Sequence, residues 1–254
     1  MRRFAVLASV ALFILALGAP SALAQSATSG EHSDNMEFVK NLPYELKNGG
    51  TTSFGTDIEF ATLGGRKYAL AGSYRNGMQI VDITNPRDSQ IVGVYDCGVT
   101  QGDIQVFRQA SKPGRTFVAY ASDTFGDGTS ACYQEAAALG FEVKKSNGQG
   151  RNGTFIAEIT NPLAPTTVSF VDVAQGSHNQ TIHPSGNYLY NSKSDLITSF
   201  QPAIEIFDIR NFAAPVKVRE LGSRPARAWG PSRTTSASRA TARERTRPRS
   251  RRAS

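Results

Sequence analysis

The stretch "MQIVDITNPRDSQIVGVYD" at residues 78–96 returns as "FIAEITNPLAPTTVSFVD" at residues 155–172 and, weakened, as "IEIFDIRNFAAPVKVREL" at residues 204–221. In each copy an acidic residue (Asp82, Glu158 or Asp208) is followed by Ile, an Asn stands three positions on (Asn85, Asn161 or Asn211), and a second apolar run begins about eight positions on. Pro86 and Pro162 lack an N–H and have a fixed φ, so they end a strand ladder and favour a turn; Asn side chains bond nearby backbone groups in such turns. The phrase therefore predicts two strands joined at a turn, three times over.

A second anchor sets the period. Asp57-Ile-Glu-Phe, Asp103-Ile-Gln-Val and Asn179-Gln-Thr-Ile each open a short alternating segment, the pattern of a strand with one buried face. Asp103 lies 21 residues after Asp82, and Asn179 lies 21 residues after Glu158. Between the anchors stand two more strand-like runs per unit: "KYALAGSY" then "GMQIVDI", "RTFVAYAS" then "GTFIAEI", and "GNYLYNS" then "AIEIFDI". They are rich in Val, Ile, Phe, Tyr and Thr and are separated by Gly, Asn, Asp and Pro, so the chain is expected to be all-β with four strands per unit. Serial units of this kind are the mark of a β-propeller, whose blades bury their faces only against neighbouring blades. The blades would be residues 57–96, 103–173 and 179–221. A sandwich leaves the constant 21-residue spacing unexplained, and a β-helix has shorter coils.

"GMQIVDITNP", "DIQVF" and "HNQTIHPSGNYLYNS" resemble the LVIVD-repeat proteins, exported bacterial and archaeal propellers named for a motif like that at residues 79–82. The resemblance covers residues 53–222. It implies a propeller of about seven blades, within the usual range of four to eight, and says little about activity, because propellers host enzymes, sensors and docking platforms alike.

The ends of the chain differ from its middle. Arg2 and Arg3, the apolar run from Phe4 to Leu17, and Ala22-Leu23-Ala24 after Pro20 fit a secretory signal peptide over residues 1–24. The apolar run is short for a spanning helix, which needs about 20 residues, and no later segment is apolar enough to span, so no transmembrane segment is expected after cleavage. Residues 223–254 carry ten Arg, one Glu and no Lys, and after Trp229 no large apolar side chain, so the tail is expected to be disordered. Its composition resembles GC-rich DNA read out of frame, the alternative being an arm for nucleic acid or anionic lipid, and a fourth blade, due near Trp229 by the 21-residue spacing, does not come. A longer propeller interrupted after about three blades is therefore expected. The segment 25–52, with "NMEFVKNLPYEL", would supply a closing outer strand or a loose leader. An open wedge of blades exposes two apolar faces, so self-association is expected. The formal charge of +7 comes from 28 basic and 21 acidic residues; without leader and tail the balance over residues 25–222 is 16 against 20, or −4. The folding part is mildly acidic, and no nucleic-acid partner is expected.

Few residues suggest chemistry. The two cysteines, Cys97 and Cys132, invite a disulfide in an exported protein, tying the end of the first blade to a long insert in the second; the closed loop makes it worth about 3 to 4 kcal/mol. In that insert Asp123 and Asp127, with Gly128, resemble hard-cation ligands, but ordinary turn chemistry is the expectation; no cofactor or metal is expected, with Ca²⁺ as the alternative; "CYQEAAALGFEV" is the one helix-prone stretch, ended at Gly140. Asp57, Asp103, His178 and Asn179 stand at or beside the anchor position and are the candidates to line a binding site around the propeller axis. Against that, an Asp at a strand start can bond the neighbouring blade's backbone and fix packing. His183, before Pro184, reads as a turn residue. No Ser-His-Asp order, phosphate loop or carboxylate pair stands out. The function expected is a non-catalytic binding platform for an unknown protein or surface ligand, secreted, periplasmic or at the cell surface. The alternative is a metal-assisted hydrolase or lactonase-like propeller using channel Asp and His residues, "HPSGNYLY" being similar to a lactonase-propeller phrase; a third reading is a fragment without function.

Overall fold

The computed structural model describes residues 34–44, 54–124, 126–193 and 203–222; the expected signal peptide and Arg-rich tail lie outside them. The described chain is all-β, with four strands per unit. Strands β1 (Gly55–Leu63), β2 (Arg66–Ser73), β3 (Gly77–Asp82) and β4 (Gln90–Tyr95) form the first sheet. The second holds β5 (Ile104–Phe107), β6 (Phe117–Ser122), β7 (Gly153–Glu158) and β8 (Thr166–Asp172). The third holds β9 (Ser177–Ile182), β10 (Tyr188–Lys193), β11 (Ala203–Asp208) and β12 (Val216–Gly222). Every sheet is an antiparallel meander in chain order.

The repeated phrase builds the same joint three times. Its Ile (Ile83, Ile159, Ile209) donates its N–H to a backbone carbonyl at the start of the second strand, Lys67, Thr116 and Asn187 respectively. Its Asn then accepts the N–H two residues on: Arg87 to Asn85 Oδ1 at 3.3 Å, Leu163 to Asn161 Oδ1 at 3.2 Å, Ala213 to Asn211 Oδ1 at 3.1 Å. These are side-chain-closed turns, which is why Asn recurs where the strand must stop. In the first two copies the Thr hydroxyl between Ile and Asn also accepts a second-strand N–H, Lys67 to Thr84 and Thr116 to Thr160, each at 3.0 Å. The third copy has Arg210 there, and its guanidinium pairs with Asp208 instead.

The strand registers repeat as well. Each third strand slips against the fourth two residues before its acidic residue, between Ile80 and Val81, Ile156 and Ala157, and Ile206 and Phe207. A bulge adds one residue and sharpens the local twist, so the three outer strands leave their sheets alike.

Apolar side chains fill the spaces between successive sheets. Leu70, Ile80 and Tyr95 of the first sheet pack with Ile104, Val118, Tyr120 and Phe155 of the second. Phe117, Ala119 and Ile156, on the opposite face of the second sheet, pack with Leu189 and Phe207 of the third. The sheets meet near their first strands, β1 touching β5, and β5 and β6 both touching β9. The insert between β6 and β7 carries helix α1 (Ala131–Ala138), which ends before Gly140 at φ +92°, a left-handed backbone that suits glycine. Cys97 and Cys132 are disulfide-bonded with their Cα atoms 5.0 Å apart, joining the chain just after β4 to α1. Glu135 of the helix accepts the Thr167 N–H of β8 at 2.7 Å, so the insert covers the seam between the first two sheets.

Residues 34–44 pair with none of the described strands. They touch the first sheet through Arg87 and Glu37 at 3.0 Å, Lys40 Nζ to the Ser89 carbonyl at 2.7 Å, and Tyr44 Oη to the Gly72 carbonyl at 3.4 Å. No helix among the described residues is long and apolar enough to cross a membrane.

Candidate functional site

The anchor residues lie where the first strands of successive sheets meet. Asp57 Oδ2 accepts the N–H of Ile104 at 2.8 Å, and Asp103 Oδ2 accepts the N–H of Gln180 at 2.9 Å. In both cases the donor is the residue that follows the next anchor, Ile104 after Asp103 and Gln180 after Asn179. Asn179 stands third in this series and gives its side-chain amide to Asp103 Oδ1 at 3.2 Å. Gly102, at φ +70°, sets the bend before Asp103; a Cβ there would meet Tyr120 Oη at 2.6 Å.

Burial pushes the Asp103 carboxyl up from 3.8 to about 6. The hydrogen bonds from Gln180 and Asn179 pull it down, and the charges of Asp57 and Glu59 push it up. The carboxyl is thus held by two donors in a place that resists its charge.

His178, half exposed beside Asn179, brings Nδ1 to 3.2 Å from Asp123 Oδ2, and Asp123 follows directly on β6. Of the residues expected at the axis, Asp57, Asp103, His178 and Asn179 thus share one end of adjoining strands, with Asp123 beside them. Asp127 is engaged elsewhere. Its Oδ1 accepts the Thr129 N–H at 2.9 Å and the Thr129 hydroxyl at 2.7 Å, in the turn that opens α1, and its own N–H reaches the Gly98 carbonyl. His183 closes its turn with Ser185, accepting that residue's N–H at 3.2 Å. Among the described residues no three His, Cys, Asp or Glu side chains are grouped to hold a metal ion.

Sequence reasoning passed over Gln180 and Thr154. The Gln180 amide donates to the Asp103 carbonyl at 3.1 Å, and its Oε1 lies 2.8 Å from the Thr154 hydroxyl, which is also 3.1 Å from Ser177 Oγ. The signal was present: in "NQTI" the Gln occupies a position that the alternation turns toward the core, where a long amide must find partners. A second feature is the cleft of about 670 Å³ between the second and third sheets, walled on one side by Phe141, Phe170 and Phe207 and lined as well by Lys193, Glu205 and Lys217. Of these, Glu205 is buried and pairs with Lys217 at 3.0 Å and Lys193 at 3.7 Å.

No protein-family model matches the chain, and no curated protein matches it.

Proposed function

We propose that the three sheets are consecutive blades of an LVIVD-type β-propeller, exported from the cell, and that the molecule works as a non-catalytic binding platform. The observation that carries the reading is the repeated bond from one sheet's anchor to the next sheet's first strand, Asp57 to Ile104 and Asp103 to Gln180. A bond that advances one sheet at a time with the same offset is what an axial array of blades requires; in a sandwich two sheets face each other and the offset does not advance. The disulfide supports an oxidising compartment. With both anchor carboxylates accepting backbone N–H groups, a ligand would be met by the exposed Asn179 and the half-buried His178 and Asp123 beside them, and by the aromatic-walled cleft, whose volume is that of a small-ligand site.

The competing reading, a metal-assisted hydrolase, draws on the contact of His178 with Asp123. Metal analysis and a panel of lactone substrates separate the two. The platform reading predicts substoichiometric metal, with or without added Ca²⁺, and no turnover above buffer. One tightly held metal per chain, with lactone hydrolysis abolished by His178→Ala in a folded variant, would replace it with the enzyme.

A further inference from the structure

Among the described residues, the first and third sheets carry the two halves of one more contact of the kind found inside the chain, and we infer that a second copy of this chain supplies the match, head to tail, closing a two-copy ring of six such sheets.

The internal contacts define the halves. On β5, Ile104 and Val106, one and three residues after Asp103, face the preceding sheet. On β9, Gln180 and Ile182, one and three after Asn179, do the same: Gln180 is buried and bonded to Asp103, and Ile182 packs in the second core. The equivalent residues of β1 are Ile58 and Phe60, which are 55% and 61% exposed. Strand pairing extends this row across the first sheet from the exposed Phe60 through Ala69, which is buried, to the half-buried Val81 and Ile91. In the second sheet the same row is Val106, Val118, Ala157 and Thr167, and it lies in the core.

The opposite half lies on the third sheet. The pairs Leu70–Ile80 and Ala119–Ile156, which stand beside the residue two after the anchor, are fully buried against the following sheet. Their equivalent is Tyr190–Ile206, beside Thr181, and it turns away from the second sheet because its neighbours Leu189 and Phe207 turn toward it. The adjoining Ile204 and Leu221, paired across β11 and β12, are each 46% exposed. Asn179 holds the anchor position there and has the side-chain oxygen that Asp57 and Asp103 use. The donor it would meet is the Ile58 N–H of the second copy, the residue after Asp57.

Such a contact is heterologous, so it closes only if the rotation closes. Two copies give six sheets, within the usual range of about four to eight blades, whereas three copies exceed it. The ring count rests on the propeller reading, but not on the binding role: the metal and lactone assays above are decided whatever the oligomeric state.

The test is light scattering on the full chain and on Phe60→Glu and Leu221→Glu variants, each checked for native strand content by circular dichroism. The chain is expected at twice its single-chain mass, each variant is expected to weaken association at least tenfold, and an equimolar mixture of the two variants is expected to recover a dimer, because each keeps one intact half. A monomer at micromolar concentration overturns the inference. So does growth into larger assemblies, which denies closure, and so does a dimer that the mixture fails to restore, which denies the head-to-tail arrangement.

Discussion

At the residue scale, the first two anchors each supply a side-chain oxygen that accepts a backbone N–H from the next sheet, while Asn179, the third, gives its side-chain amide back to Asp103. The acceptors are the carboxylates of Asp57 and Asp103. Removing one leaves a buried donor unsatisfied, so Asp103→Ala is expected to cost about 1 to 3 kcal/mol, whereas Asp103→Asn keeps an acceptor and is expected to be tolerated. The carboxylate itself adds a pH dependence. The folded carboxyl titrates at about 6 against 3.8 for the ordinary group, so between those values the folded chain holds the proton more tightly than the unfolded chain does. Its contribution is therefore most favourable at low pH and is lost as pH rises through that window. The other shifted carboxylates have the opposite sign: Arg115 holds Glu158, and Arg210 holds Asp208, below the usual range, so their support fades only at lower pH. Urea midpoints between pH 4 and 7 should accordingly fall less in Asp103→Asn than in the parent chain; equal slopes would remove Asp103 as the source.

At the element scale, the four-strand unit was legible from the sequence because its punctuation is chemical. Asn closes a turn with its own side chain, Pro ends a ladder, and the acidic residue meets an arginine at the sheet's rim, Arg66 for Asp82 and Arg115 for Glu158. The bulge two residues before that acidic residue was not legible, since Ile-Val, Ile-Ala and Ile-Phe carry no turn signal and the slip is imposed by the twist between strands. The insert was half legible. Its helix and its cystine follow from alanine-rich composition and from the cysteine pair, but the bond from Glu135 to Thr167 depends on where α1 lands. Because the cystine closes a span of 35 residues and anchors α1 over the first core, the double variant Cys97→Ser, Cys132→Ser is expected to lose about 2 to 5 kcal/mol in denaturant titration. An unchanged midpoint would mean that α1 is held by packing alone.

At the scale of the whole molecule, three similar described sheets are chained in one direction, the first strands of the second and third, β5 and β9, each hung from the anchor of the sheet before it. The 21-residue spacing from one acidic residue to the next anchor is the length of chain needed to run up the outer strand and enter the next sheet, so a ruler read in sequence measures a step in space. What spacing could not convey is which side of each sheet faces its neighbour. That emerges only once Leu70 and Ile80 are seen buried on one side of the first sheet and Phe60 bare on the other. The most direct test is amide hydrogen exchange on Asp57→Ala and Asp103→Ala. The N–H of Ile104 is expected to lose protection in the first variant alone and that of Gln180 in the second alone; unchanged protection at both amides in both variants would contradict the chain of anchors.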